Sequence, residues 1–393
     1  MRILLTHNFY KFFAGEDSIA LREKDLLESR GEHIYFYTKD NKETDNYTLK
    51  EKIIFFKQTV YSQKTRDEVK DIVRDFKPHI AYTHNIFPLI SPSIFHTLYK
   101  ESIPCVQNVQ DYRWLCPNGV FYINDRICER CKNGAFWNAI RYRCFRNSFL
   151  LSGLYATTIS INRLAGIFKK IDAFLCTTEF NKQKLMEAGI EEKRIFIKPN
   201  YLDITHVEPL YGSGDYIIFL GRLSPEKGLW TLVNAFEKLK DYKLRIVGTG
   251  PLEEPLKEYI KEKGIKNISI EGFKQGKEKD SLLKNALFMV FPSEWYEHFP
   301  IVLLEAFAFG KPVIASNIGN MPLIVEDGKS GLHFKAGDAF DLADKIRTLS
   351  QNPTDIINMG IYARKKLELE YTPEVNYKIL RSIFDKITSG KTA

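Results

Sequence analysis

Two segments in the second half of the chain combine charged residues with local patterns that could bind an anionic ligand. In Gly221-Arg222-Leu223-Ser224-Pro225-Glu226-Lys227-Gly228 the cations Arg222 and Lys227 stand between a strand-like apolar run and a helix-like one. Such a turn suits a diphosphate, with Arg222 gripping two oxygens through its planar fork and Lys227 acting as a point charge. A solvated turn that merely opens a helix would have the same composition. In Ser293-Glu294-Trp295-Tyr296-Glu297-His298-Phe299-Pro300, the proline and the apolar run Ile301–Leu304 mark a helix start, whose free N–H groups and dipole favour an anion. Glu297 then falls in the loop before that helix and Glu305 two turns into it, so the two carboxylates can address different parts of one extended ligand. Glu305 is flanked by Leu303, Leu304, Ala306 and Phe307. A carboxylate in so apolar a run needs a partner, which favours a working role over a solvated one.

The first half offers weaker signals. Ala14-Gly15-Glu16-Asp17 is a turn that could bring backbone close to a ligand at Gly15, and equally a cap for a helix at Ser18. His84 ends a strand-like segment, where either a ligand contact or a structural role is open. Of the six cysteines, Cys128 and Cys131 form a Cys-x2-Cys pair, bracketed by Cys116 and Cys144. A structural zinc site, free thiols and disulfides all remain open, with disulfides least suited to a reducing compartment.

Two lobes must position these residues, because 393 residues exceed the roughly 100–200 of one ordinary domain. With 44% apolar and 27% charged residues, bulk disorder is excluded. The first lobe alternates strands (Arg2–Thr6, His33–Tyr37, Ile53–Phe56, His79–Thr83, Pro104–Val109, Ala173–Thr177) with helices (Ser18–Ser29, Arg66–Phe76, Ser91–Tyr99). Glu208–Asp215 reads as a linker. Beyond it come strands at Tyr216–Leu220, Leu244–Val247, Ile268–Glu271, Leu287–Phe291 and Val313–Ala315, and helices at Gly228–Leu239, Leu252–Lys263, Ile301–Phe309, Ala339–Leu349 and Pro353–Leu367. Strand–helix alternation implies parallel sheets with covered faces, here two doubly wound, Rossmann-like α/β domains facing a central cleft. The domains expected are 1–205, with a basic cysteine-containing insertion at about 112–170, and 206–374.

The net charge of +8 is concentrated in one place. Residues 126–170 hold nine basic residues against the single acid Glu129, and the rest of the chain balances. Phe136, Trp137, Tyr142, Phe145 and Phe149 are interleaved with them, which suits an anionic membrane surface or a polyanion, or else simply a solvated basic face. No nucleic-acid motif accompanies the charge, so nucleic acid is not an expected partner. Asn147–Asn162 is too polar to span a bilayer. Met1–Thr6 runs straight into a strand, so the expectation is a cytoplasmic protein without a signal peptide.

With these motifs in order the chain resembles the retaining GT-B glycosyltransferases of family 4, and within them the type that builds bacterial surface polysaccharides. The resemblance rests on Gly221–Gly228, Val247-Gly-Thr-Gly-Pro251, Pro292–Pro300 with the Glu297/Glu305 spacing, Gly328-Lys-Ser-Gly-Leu332, His84–Ser93 and Asp111–Pro117. It implies that Arg222 and Lys227 hold the diphosphate of a nucleoside-diphosphate-sugar donor. Glu305 would bind the ribose, Glu297 the donor sugar or its developing positive charge, and Gly272 with Phe273 the base. His298, Phe299 and Ile301 would complete the donor site, Gly15 would approach phosphate or acceptor, and His84 and Gln110 would lie on the acceptor side. No catalytic metal is implied, and the chain has no Asp-x-Asp pair. A C-terminal helix, 375–393, would pack back on the first domain.

Four positions depart from the pattern. Gln110 stands where many relatives have a His, and Gln can hydrogen-bond but not titrate. His298 replaces a small residue, and Ala14 and Asn320 replace frequent glycines. The activity implied is transfer of a sugar to a lipid-linked or saccharide acceptor, at the inner face of the cell membrane through residues 126–170. A nucleotide-sugar epimerase on the same fold, or a nonenzymatic polyanion or nucleic-acid binder, are the alternatives.

Overall fold

The computed structural model describes residues 1–12 and 15–390; Ala14 of the expected 14–17 turn and the end of the 375–393 segment lie outside them. The chain divides into two compact units. The first comprises Met1–Phe121, Cys128–Asn200 and Asn376–Ala393, the second Tyr122–Ile127 and Tyr201–Val375.

In chain order the first stretch carries β1 (Arg2–Phe9), α1 (Gly15–Ser29), β2 (His33–Asp40), α2 (Leu49–Val60), α3 (Gln63–Phe76), β3 (Ile80–Thr83), α4 (Ser93–Lys100) and β4 (Cys105–Asn108). A two-residue antiparallel hairpin follows, β5 (Tyr122–Ile123) and β6 (Arg126–Ile127). Then come α5 (Trp137–Arg141), α6 (Phe149–Leu164), β7 (Ala173–Cys176), α7 (Glu179–Glu187) and β8 (Ile195–Ile197). The six longer strands form one parallel sheet in the order β2-β1-β3-β4-β7-β8. Ile3, Leu4 and Leu5 of β1 are all fully buried, as a parallel strand covered on both faces requires.

The expected strand at Ile53–Phe56 is a correction: these residues lie inside α2. Thr48 caps that helix, its hydroxyl accepting from Glu51 N while the Glu51 carboxylate accepts from Thr48 N, and this reciprocal box outweighs a four-residue apolar run that fits either period.

The second stretch carries β9 (Ile217–Leu220), α8 (Leu229–Phe236), β10 (Leu244–Val247), α9 (Glu253–Glu262), β11 (Ile268–Gly272), α10 (Gly276–Lys284) and β12 (Met289–Phe291). It continues with α11 (Ile301–Ala308), β13 (Val313–Ser316), α12 (Met321–Ile324), β14 (Gly331–Phe334), α13 (Ala339–Ser350), α14 (Pro353–Glu370) and α15 (Pro373–Ser389). Its sheet is also parallel, in the order β11-β10-β9-β12-β13-β14. Leu380, Ile383 and Phe384 of α15 belong to the first unit's core, packed with Ile3, Leu5, Leu27, Ile80, Tyr82, Val106 and Leu175.

Each sheet reverses its winding once, between β1 and β3 in the first and between β9 and β12 in the second. At such a switch point the loops leaving adjacent strands splay apart, which opens a crevice at the carboxyl ends. The second unit brings its strand ends unusually close: Gly248 has φ +143°, and a Cβ there would lie 1.9 Å from Gly221 O. Only glycine allows β10 to pass the turn that carries Arg222.

Candidate active site

The crevice of the second unit is built from the loops after β9 and β12. The turn after β9 contains a short 3-10 segment, Pro225–Lys227, and ends at Gly228 with φ +68°. A Cβ on Gly228 would sit 1.9 Å from Pro292 O, so the absence of a side chain lets the two loops meet. They are bonded where they meet, by Glu294 N to Glu226 O at 2.8 Å and by Thr231 Oγ1 to Glu294 Oε1 at 2.5 Å.

That contact brings Lys227 to Glu297. The Lys227 ammonium donates to Glu297 Oε1, which also accepts from Ser293 Oγ at 2.6 Å. Glu297 is buried and the Lys227 side chain nearly so, 16% exposed. The ammonium also lies 5.5 Å from the Trp295 ring centroid and 5.6 Å from that of Phe291. Asn320, fully buried, donates from its side chain to Glu297 O and so fixes the loop from beneath. Arg222, by contrast, is exposed and makes no ion pair with a described residue. It is a free cation beside an occupied one.

Pro300 precedes α11 and no side chain caps the helix; Leu303 N donates to Pro300 O, which leaves the amides of Ile301 and Val302 open to an anion. Ile301 heads the helix. Phe299 turns inward, its ring 5.3 Å from that of Tyr371 within the apolar core. One turn on, Glu305 Oε1 accepts from Lys279 Nζ of α10 at 2.7 Å. This is the partner that the apolar surroundings of Glu305 demand, and nothing in the sequence singled out Lys279. Gly272, φ +69°, ends β11, and the following Phe273 ring is 66% exposed.

The first unit carries a separate set at the ends of β1, β3 and β4. His84 is fully buried, its Nε2 3.3 Å from Glu23 Oε2 and its ring edge-on to Tyr82 and His7. Glu23 also receives the buried Lys198 ammonium and the Tyr82 hydroxyl. Despite the cost of burial, Lys198 and His84 hold the Glu23 carboxyl down at about 2. Gln110 donates to Asn108 Oδ1 at 3.1 Å and Asn200 Oδ1 at 3.0 Å, so its amide is oriented by two asparagines. Gly15 is exposed as the first residue of α1, and a side chain there would meet nothing within 4 Å.

The cysteines require a correction. Among the described residues no three His, Cys, Asp or Glu side chains are disposed to hold a metal ion, and none of the six cysteines is in a disulfide. Cys116 Sγ donates to Asn118 Oδ1 at 2.9 Å. Cys131 packs with Phe136, Ala139, Ala156 and Ile159, with Cys144 against the same small cluster. Burial pushes the Cys131 thiol up to about 12 and the Cys144 thiol to about 11, so they serve as neutral apolar filler.

Around that cluster Arg141, Arg143 and Arg146 are exposed. So are the apolar side chains of Trp137, Phe149 and Leu150, the last two 63% and 64% exposed. No helix among the described residues is long and apolar enough to cross a membrane.

Residues 203–366 match the model of the family described as glycosyl transferases group 1. An uncharacterised glycosyltransferase of Methanocaldococcus jannaschii is 31% identical over 324 residues, which cover 78% of this chain and 83% of that protein. The amylovoran biosynthesis glycosyltransferase AmsK of Erwinia amylovora is 30% identical over 228 residues, 56% of this chain and 54% of that protein. Among solved structures, Anabaena HepE in complex with UDP superposes with a TM-score of 0.69 at 16% identity, covering 98% of this chain and 99% of that one. At such identity the likeness concerns the fold, which is GT-B. With a relative of this identity matched over most of its length, the chain belongs to the glycosyl transferases group 1 family.

Proposed function

We propose that this protein transfers a sugar, with retention of configuration, from a nucleoside diphosphate sugar to a lipid-linked or saccharide acceptor in the assembly of a cell-surface polysaccharide. The observation that carries the reading is the crevice between β9 and β12, where an exposed, unpaired Arg222, the Lys227–Glu297 pair and the uncapped start of α11 converge. Arg222, Lys227 and the α11 amides stabilise the negative charge that gathers on the departing diphosphate. These fixed charges do the work that a cation would otherwise do, so the transfer proceeds without a metal. Glu297 faces the positive charge that develops on the sugar, and Glu305 binds the ribose, with Lys279 setting its rotamer. Phe273 offers an exposed ring to the base. The acceptor hydroxyl attacks from the face that the diphosphate leaves, and a phosphate oxygen takes its proton.

The donor is assigned to residues 206–374 and the acceptor to residues 1–205. Anabaena HepE was solved with UDP, which makes a uridine nucleotide the first donor to try. The exposed arginines and aromatic side chains of 137–150 fit a peripheral station on anionic lipid at the inner face of the membrane.

The test is thermal unfolding with UDP, GDP, dTDP and CDP and their common sugars, each with and without a chelator. A ligand that binds only the native state raises the melting temperature, by about 2.7 kcal/mol of stabilisation at a hundredfold excess over Kd. One base should stabilise the protein, with or without chelator. No shift with any nucleotide refutes the donor site, and conversion of donor to an isomer without acceptor points to an epimerase.

A further inference from the structure

The crevice of the first unit holds a carboxyl for which the reading above has no use. Glu16 lies in the first turn of α1, partly buried, and its Oε2 accepts from Tyr10 OH at 2.7 Å. Oε1 accepts from no described residue, and Glu16 forms no ion pair with one. The neighbouring Asp111 is fully engaged: Oδ1 accepts from Arg113 N at 2.9 Å and Oδ2 from Arg113 Nε at 3.1 Å. The Arg113 guanidinium in turn lies over the rings of Phe87, at 5.4 Å, and Tyr155, at 5.2 Å. Glu16, Asn108, Gln110, Asp111 and Trp114 help to line a pocket at the ends of β3 and β4 of about 20 Å³. That volume accommodates one water-sized group.

Two carboxyls, several amides and the His84 imidazole, which burial keeps below its ordinary value and so neutral, line this pocket, and the Arg113 guanidinium is paired with Asp111. It has no positive charge to offer a phosphate or carboxylate, and every polar group it presents suits a neutral hydroxyl. We propose that this pocket is the acceptor's subsite and that Glu16 is the binding residue that grips a sugar hydroxyl, its carboxyl donating a hydrogen bond to the hydroxyl oxygen. The proposal rests on the transferase reading above and adds to it the chemistry of the group recognised: a neutral saccharide hydroxyl, not the phosphate of a lipid carrier.

The surroundings keep that proton in place. Burial, then the charge of Asp111, raise the Glu16 carboxyl to about 8; the Tyr10 hydrogen bond and Arg113 oppose them, and Asp17 adds slightly. Tyr10 follows β1, Asp17 belongs to α1, Asp111 and Arg113 follow β4, and Tyr155 of α6 faces Arg113. Above pH 8 Glu16 loses its donor and becomes a second anion beside Asp111, so binding of a hydroxyl weakens.

The experiment uses the full chain, the nucleotide that stabilises it, and methyl glycosides of glucose, galactose, mannose, rhamnose and N-acetylglucosamine as acceptor probes. Glycoside binding is followed by ligand-observed NMR, transfer by release of nucleotide, and nucleotide binding by calorimetry. For the glycoside that binds, KM should rise about tenfold from pH 7 to pH 9, as a group titrating near 8 requires. E16Q, which donates an N–H at every pH, should flatten that rise. E16L should raise KM at least tenfold at all pH while kcat and nucleotide Kd change less than threefold. The proposal is overturned by an E16Q profile that still rises like the wild type's, by an E16L KM within twofold, or by wild type that binds nucleotide but none of the glycosides. Failure of every nucleotide to bind strikes the transferase reading instead, and glycoside binding that still responded to Glu16 would survive it.

Discussion

Replacing Lys227 by Met removes the one cation among the described residues that bonds Glu297 and keeps a side chain of similar length beside Trp295 and Phe291, without the ammonium over their rings. The carboxylate is then buried with a single hydroxyl donor, Ser293 Oγ at 2.6 Å. Breaking a buried pair from one side costs about 3–5 kcal/mol. Because the Lys227 side chain keeps 16% of its exposure, water can reach part of the gap, and about 2–3 kcal/mol is expected. For a unit of this size that is a fall of about 4–12 °C in its unfolding transition. E297Q should cost about 1 kcal/mol, since an amide still bonds Ser293 and the ammonium can turn to solvent. The double variant K227M/E297Q has no orphaned charge and should recover to within about 1 kcal/mol of wild type, a coupling of about 2 kcal/mol. Activity should not recover: all three variants lose about 100- to 1,000-fold in kcat/KM, the usual price of one preorganised charge. Calorimetric scans and initial rates on the four proteins decide the matter. A K227M protein within 0.5 kcal/mol of wild type, or a double variant no more stable than K227M, would show that the pair does not hold the two loops together.

Other perturbations have equally definite outcomes. Gly228→Ala forces a Cβ to 1.9 Å from Pro292 O at φ +68°, so a loss of about 3 kcal/mol or more is expected in urea unfolding, and less than 1 would contradict the close approach. Glu23 is held down at about 2 by Lys198 and His84, so its share of stability is present above the ordinary carboxyl value near 4.5 and is lost as pH falls from there to about 2. Lys198→Met should remove about 3–5 kcal/mol at pH 7 and flatten that acid limb; an unchanged limb would assign the acid sensitivity to other groups. The triple variant R141E/R143E/R146E should bind vesicles containing phosphatidylglycerol at least 100-fold more weakly, at about 1 kcal/mol per basic residue lost. Sedimentation with unchanged binding would sink the membrane station.

What the sequence made legible is whatever local chemistry dictates. The turn Gly221–Gly228 is readable because a strand, two cations and a glycine that alone tolerates φ +68° stand in contiguous order, and the fold places them as that order implies. The start of α11 is marked by Pro300 itself. The need of Glu305 for a partner follows from its apolar neighbours, but the identity of the partner does not: Lys279 lies 26 positions away on another helix. Glu23 and Lys198, 175 positions apart, are hidden for the same reason, as is the bond from Asn320 to Glu297 O. Strands β8 and β14 escaped because each is so short: Ile195-Phe196-Ile197 is an apolar run of only three residues, and His333 interrupts β14. Cysteine spacing suggested a metal; the four thiols do come near one another, but Cys131 and Cys144 are spent on a small apolar cluster and no set among the described residues is disposed to hold an ion.

If the crevice is the donor site proposed above, the pairing of Lys227 with Glu297 explains how it can hold a carboxylate and still accept a diphosphate. Two like charges at about 4 Å repel by roughly 4 kcal/mol where the effective dielectric is near 20, so a bare Glu297 beside the phosphates would oppose donor binding. With the Lys227 ammonium already bonded to it, the carboxylate presents little net charge to the arriving donor, while Arg222 and the start of α11 remain free to attract it. In the proposed transfer, as the bond to the diphosphate breaks, negative charge grows on the phosphate oxygens and positive charge on the sugar. Lys227 then gains by moving toward the first and Glu297 by being released toward the second. A pair that is neutral in the ground state and useful when separated stabilises the transition state more than the bound donor, which is the condition for a raised kcat. On this argument the two residues act as one unit, and the losses in kcat from K227M and E297Q should fall well short of multiplying in the double variant.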